Sequence, residues 1–240
     1  MSRDNVLNAT RRGLHRGPLP IEQRLSLHAR MGAGPRHLIP ARSRLGRRDQ
    51  VALFMRNVEK QCGTLARVPG LADVVRAVAE YLASHNLPTE LVVAPHPELR
   101  NIPWTERPLL RLREGRPGAN DLVSLQPGFA GVAETGTLVL PGAPERPALP
   151  NQLPDTTLVV LRVSRVVGAY EEAWDLLRND RDEAATGIAP QNVMLITGPS
   201  RSGDDPSPLE PGGHGPRRLH VVLVDDDPAA AGPRPGADPS

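Results

Sequence analysis

The chain reads as an α/β protein built on a mostly parallel sheet. Two observations predict this. Short apolar runs, such as Thr-Thr-Leu-Val-Val-Leu-Arg-Val at 156–163, alternate with stretches whose apolar residues recur at helical spacing, such as Leu71, Val74, Val75, Val78 and Leu82. Strands separated by helices are joined by crossovers, which makes the neighbours parallel and covers the sheet on both faces. A third observation points to function. Gly-rich turns carrying hydroxyls stand at the mouths of apolar strands in 128–140 and 197–223, and loops at strand ends are where open sheets bind ligands.

The elements follow in chain order. Residues 4–15 form a short amphipathic helix, with Val6, Leu7 and Leu14 on one side, stopped by Gly17-Pro18-Leu19-Pro20. Residues 32–49 are rich in Gly, Pro and Arg and read as an extended arm. A helix near 50–61 places Val51, Phe54, Met55 and Val58 inward. Thr64 to Val68 is a strand, Pro69-Gly70 a turn, and Leu71 to His85 an amphipathic helix. Glu90 to Ala94, Leu109 to Leu112, Asp121 to Leu125, Thr137 to Leu140 and Thr156 to Val163 read as strands. Gly168 to Arg178 is helical, with Ala169, Ala173, Trp174 and Leu177 facing in. Asn192 to Ile196 and Leu219 to Val224 complete the strands, and the Pro-, Ala- and Gly-rich residues after 226 read as a disordered tail. The expected organisation is a basic arm over 1–48, one α/β domain over 49–226, and a tail over 227–240.

A chain of 240 residues suits one domain with its own core. Aromatic residues are 2%, so that core is built from Leu, Val, Ile and Ala. Lys60 is the only lysine and lies in a polar stretch, a poor setting for Schiff-base chemistry. Cys62 is the only cysteine, so no intrachain disulfide, Cys-based zinc site or iron–sulfur cluster can be built from this chain alone. Residues 1–48 hold eleven arginines against Asp4 and Glu22, a charge of +9. The whole chain carries +2, which leaves −7 on 49–240. A basic arm on an acidic body suits contact with a negative surface, its own body or a partner. The arm lacks aromatic interleaving, which argues against nucleic acid. The sequence begins without an apolar signal core and has no run of the roughly 20 apolar residues a membrane span needs, which predicts a cytoplasmic location.

Two blocks carry the chemistry. Residues 133–140 read Ala-Glu-Thr-Gly-Thr-Leu-Val-Leu; residues 196–204 read Ile-Thr-Gly-Pro-Ser-Arg-Ser-Gly-Asp, followed by His-Gly-Pro-Arg-Arg-Leu-His-Val at 214–221. Gly131 and Gly136 let backbone approach a ligand, Thr135 and Thr137 offer hydroxyls, and Glu134 is an isolated carboxylate among small residues. Glu134 fits acid, base or nucleophile chemistry, and equally a bracing role in which it accepts backbone N–H groups. Gly198, Ser200 and Arg201 suit an anion, with turn N–H groups and a guanidinium fork; Asp204 can orient Arg201 or cap a helix. His214, between glycines, can reach a pocket near neutral pH. His220 reads as a satisfied strand histidine. Glu134, Asp204, His214 and His220 show no metal-ligand spacing, and no Gly-x-Gly-x-x-Gly fingerprint is present.

These blocks resemble the lactate-utilization protein C family (LutC/YkgG), whose domain is called LUD. Ala133 to Leu140, Ile196 to Arg201 and His214 to Val221 carry the match, with a weaker likeness over about 42–225. Ser202-Gly203 and the prolines after Asp204 depart from the pattern. The resemblance implies a three-layer α/β/α arrangement like that of the NagB/RpiA/CoA-transferase fold. It implies an accessory, ligand-binding subunit of a system that oxidises L-lactate to pyruvate with iron–sulfur protein partners. The single cysteine and the missing dinucleotide fingerprint leave no cofactor in this chain, and Arg201 with the turn N–H groups favours a small carboxylate or phosphate as ligand. Two other readings stand beside it: a free-standing acyl- or phospho-sugar-type enzyme using Glu134, and a nucleic-acid-binding regulator using the arm. A shared pocket is expected to join Glu134, Thr135, Gly136, Ser200 and Arg201 at the carboxyl edge of the parallel sheet.

Overall fold

The computed structural model describes residues 2–17, 19–33, 39–118, 120–143, 154–183, 190, 192–199 and 215–230. It divides into two compact units, residues 1–38 and 39–240. The first holds α1 (Arg3–Gly13) and α2 (Ile21–Ala33). The Ser2 hydroxyl caps α1 by accepting the Asn5 N–H, with Asp4 in the first turn and Arg11 and Arg12 in the last, all favourable to the helix dipole. No residue of α1 is buried, and Ile21 and Leu25 of α2 are exposed. The second helix has no counterpart in the sequence reading.

The body is an α/β unit. Its main sheet has the order β1-β10-β7-β4-β2-β3, from β1 (Thr64–Val68), β2 (Glu90–Val93), β3 (Arg111–Glu114), β4 (Val123–Pro127), β7 (Thr156–Arg162) and β10 (Arg218–Val224). Every pairing in it is parallel. The apolar run of β7 lies near the middle, where both faces need covering. Edge strand β3 is exposed throughout, and its charges are paired: Arg111 with Glu90, Arg113 with Asp121 and Glu114 with Arg100. Such an edge resists pairing with another chain.

Helices cover both faces. On one side α4 (Val74–Ser84) buries Val74, Val75, Val78 and Leu82 against Leu125, Leu158, Val160 and Val222. On the other α3 (Arg47–Lys60) buries Val51, Phe54 and Val58 against Val159, Leu161, Val221 and Leu223. A short helix, α5 (Pro97–Arg100), follows β2.

One feature departs from the expected single sheet. A second sheet, ordered β8-β5-β6-β9, is formed by β5 (Ala130–Val132), β6 (Thr137–Pro141), β8 (Val166–Val167) and β9 (Val193–Ile196). β6 pairs antiparallel with both β5 and β9. Its alternation explains its place. Leu138, Leu140 and Ile196 join the α3 core, while Val132 and Val139 face a third cluster with Ala173 of α6 (Tyr170–Glu183). Trp174, expected inside, is 37% exposed.

Residues 39–48, read as arm, belong to the body. Ser43 is buried. The Arg47 guanidinium donates to Asp227 Oδ2 at 2.9 Å, to the Val163 carbonyl at 2.7 Å and to the Val166 carbonyl. The expected tail from 227 also begins inside: Ala230 is buried against the α3 core. Residues 231–240 lie outside the described residues.

Candidate functional site

The Glu134 turn joins β5 to β6 and is held from three directions. The Ala133 and Glu134 N–H groups donate to the carbonyls of Val167 (2.7 Å) and Gly168 (3.1 Å), and the Gly136 N–H to that of Val132 (2.9 Å). From α3, the Asn57 amide donates to the carbonyls of Ala133 (2.7 Å) and Glu134 (3.0 Å). Gly136 is at φ +72°, and a Cβ there would lie 2.6 Å from backbone atoms of Asn57 and Val58. The turn therefore needs a residue without a side chain, both for its left-handed conformation and for its seat on α3.

The turn meets the second block through hydroxyls. Thr137 Oγ1 is fully buried and lies 2.6 Å from Thr135 Oγ1, 2.8 Å from Tyr170 Oη and 2.7 Å from Thr197 Oγ1. Thr135 donates to Tyr170 at 3.1 Å. Four hydroxyl protons thus serve four contacts. With Thr135 donating to Tyr170, Tyr170 to Thr137 and Thr137 to Thr135, the ring closes and Thr197 donates into it. Turning the Thr137 proton toward Thr197 opens the ring and frees the Thr197 proton for a ligand. Thr197 is exposed, so the ladder runs from solvent to the interior.

The convergence has a different cause from the expected one. The two blocks do not share the carboxyl edge of the parallel sheet. Thr137 opens β6 and Thr197 follows β9, and these strands are antiparallel neighbours with Leu138 opposite Ile196. The start of one strand therefore stands beside the end of the other. Gly198, at φ +73°, continues the site, and a Cβ there would collide with the Gln61 carbonyl just past α3.

Glu134 is not isolated. Its Oε1 accepts from Arg42 Nη2 at 2.5 Å; the Glu134 side chain is 10% exposed and that of Arg42 71%. Of the expected site residues, Glu134, Thr135, Gly136, Thr137 and Gly198 are thus described and gathered here. Ser200, Arg201, Asp204 and His214 lie outside the described residues. Sequence reasoning missed Arg42, Asn57, Thr197 and Tyr170 as site residues. Asn57 left a signal: it lies three residues from Phe54 and next to Val58 on an otherwise apolar helical stripe. Arg42 left none among eleven arginines.

His220 belongs to another place. It lies on the α4 face, stacked on Tyr81 with ring centres 3.9 Å apart, and its Nδ1 is 2.9 Å from Thr64 Oγ1. Its buried Nε2 has no hydrogen-bond partner, so the expected satisfied strand histidine is satisfied at one nitrogen only. Among the described residues no three His, Cys, Asp or Glu side chains are grouped as a metal would require, and no helix is long and apolar enough to cross a membrane.

Comparisons with known proteins agree with this geography. Residues 127–224 match the LUD domain family model. The chain is 33% identical over 96 residues to lactate utilization protein C of Bacillus subtilis, covering 40% of this chain and 39% of that protein. It is 32% identical over 95 residues to the protein of the same name in Geobacillus kaustophilus, with coverage of 40% and 39%. An uncharacterized protein of Neisseria meningitidis, NMB1437, is 30% identical over 105 residues, covering 42% of this chain and 43% of that one. The chain thus spans about two fifths of the length of these curated relatives. A crystal structure of a DUF162 family protein from Deinococcus radiodurans superposes with a TM-score of 0.54 at 22% identity, covering 75% of this chain and 99% of that one, and shows the same α/β fold. Residues 127–224, which hold both the Glu134 turn and Thr197, match the LUD domain family model, and over this part of the chain the protein is similar to the lactate utilization protein C relatives.

Proposed function

We propose that this chain is an accessory, ligand-binding subunit of a cytoplasmic system that oxidises L-lactate to pyruvate through iron–sulfur protein partners. The observation that carries the reading is the hydroxyl ladder Thr135–Tyr170–Thr137–Thr197, built inside the matched domain beside Glu134 and Arg42. A small 2-hydroxy carboxylate suits this arrangement: its carboxylate can take the solvent-exposed side of the Arg42 guanidinium, and its hydroxyl can extend the ladder. The single cysteine cannot hold an iron–sulfur cluster, so electron transfer falls to the partners. Ser200, Arg201, Asp204 and His214 remain sequence candidates for the same ligand.

The reading is tested in the native host. A gene carrying Thr137→Val replaces the wild type, growth on L-lactate is measured, and the tagged wild-type chain is purified to identify what accompanies it. Growth equal to wild type, with no iron–sulfur protein retained, would overturn the proposal. A free-standing enzyme working through Glu134 is the second reading. It requires the carboxylate to leave Arg42 before it reacts, and turnover by the isolated chain would support it.

A further inference from the structure

The strap that precedes α3 adds a group to the site that the matched domain does not contain. Residues 39–46 are held by two anchors that follow Arg42 in the chain. Ser43 is buried, with its hydroxyl donating to the Pro40 carbonyl at 2.7 Å, and its own carbonyl lies where a side chain on Gly168 would stand. Arg47 is bound by Asp227 and the carbonyls of Val163 and Val166. Next to the first anchor, the Arg42 side chain reaches Glu134, 92 residues away in sequence, through one nitrogen and one oxygen.

That contact uses little of what a guanidinium offers. The fork has five donors suited to gripping a carboxylate at both oxygens. Here Nη2 alone engages Glu134, and 71% of the Arg42 side chain faces solvent. Glu134 approaches from below, 10% exposed, pinned by Asn57 and the Gly168 carbonyl through its backbone. A ligand carboxylate can therefore reach the open side of the fork without the protein opening.

We propose that Arg42 is the carboxylate clamp of this site, and that Glu134 is its resting partner, displaced when a ligand carboxylate takes the fork. The ligand is a small 2-hydroxy carboxylate, an identification that rests on the lactate reading above. Its hydroxyl then lies toward Thr135, the residue after Glu134 and the near end of the ladder. Displacement also leaves Glu134 free of its cation while the ligand is bound. An exchange of this kind makes a signed prediction, because the internal carboxylate competes with the ligand.

The test is calorimetric titration of the full chain with acetate and, separately, with L-lactate, in wild type and in Arg42→Ala, Arg42→Lys and Glu134→Gln. Removing the clamp should weaken both ligands by at least about tenfold, the scale of one lost charge-assisted hydrogen bond. Lysine keeps the charge but not the fork, so Arg42→Lys should fall between alanine and wild type. Glu134→Gln should bind more tightly than wild type, because its competitor has been neutralised. If Arg42→Ala and Glu134→Gln weaken binding together, the pair is a brace and the clamp is wrong. Circular dichroism of each variant excludes unfolding as the cause. If acetate shows the opposite-signed pattern while L-lactate binds no better than acetate, the clamp stands and the lactate reading falls. If wild type binds neither, both fall.

Discussion

Replacing His220 by phenylalanine should remove most of the acid sensitivity of this fold between pH 6.5 and 4. The imidazole is 4% exposed, bonded at Nδ1 to Thr64 and unpartnered at Nε2. Burial, with a smaller contribution from the charge of His85, holds its pKa down from 6.5 to about 4. The groups around it are Thr64 of β1, Tyr81 of α4, His85 just past the end of α4 and, acting on Tyr81, Arg218 of β10, none of which is an anion to compensate a proton. The sign follows from proton counting. Above pH 6.5 the ring is neutral in both states and contributes nothing to the slope. Below 6.5 the unfolded chain takes up a proton that the folded chain refuses, so stability falls as pH falls, and the loss is complete below the folded value. The loss is about 2 kcal/mol at pH 5 and about 3 kcal/mol by pH 4. Depressed carboxylates act lower. Asp227, held down mainly by its bond from Arg47, and Asp121, held down mainly by the Gly118 N–H, lose their contribution only below their ordinary 3.8. The phenyl ring of the His220→Phe variant keeps the stack on Tyr81 and cannot take a proton. Urea unfolding of wild type and variant at pH 7, 6, 5 and 4.5 should show the difference between them moving in the variant's favour as pH falls. Parallel profiles would refute the reasoning and place the acid sensitivity elsewhere.

Three further outcomes are expected. Gly136→Ala, which sets a Cβ 2.6 Å from α3 backbone at φ +72°, should cost about 2 kcal/mol or more and lower the melting temperature by several degrees in scanning calorimetry. Thr137→Val keeps the shape but removes the centre of the ladder, so urea unfolding should show a loss of about 1–3 kcal/mol. A chain ending at Asp226 loses the Arg47–Asp227 pair and buried Ala230, and should melt below a chain ending at Ala230.

Most of the parallel sheet is legible because its inner strands are long or apolar enough to declare themselves; the exposed edge strand Arg111–Glu114 shares only Arg111 and Leu112 with the expected 109–112. Thr64–Val68 has the bounds read from the sequence, and Thr156–Arg162 falls one residue short of the expected run. The second sheet was not legible as a sheet. β5 has three residues and β8 two, too few for any period to show. β6 and β9 read as strands, but nothing local in Thr-Leu-Val-Leu or Val-Met-Leu-Ile says which partner each takes. The site divides in the same way. Glu134, Thr135, Gly136, Thr137 and Gly198 were visible as unusual residues in unusual turns. Tyr170 and Arg42 act there only because α6 and the strap carry them in from 33 and 92 residues away. Distance of that kind leaves no periodicity.

What unites the two blocks is a single helix as well as a strand pairing. The Gly136 turn is seated on the backbone of Asn57 and Val58, and the Gly198 turn on the carbonyl of Gln61. Those contacts are about one turn apart along α3 and its end. Both glycines have left-handed backbone and both approach closer than a Cβ allows. The same helix supplies Asn57, whose amide ties the Glu134 turn, and begins with Arg47, whose guanidinium anchors the strap that carries Arg42. The core side of α3, through Val51, Phe54 and Val58, is locked to the main sheet. Positions 42, 134, 137 and 197 are therefore all referenced to one rigid element that buries its apolar face in the largest layer of the fold. Among the described residues the geometry of this site is held by α3, and its approach to solvent runs through Arg42 and Thr197.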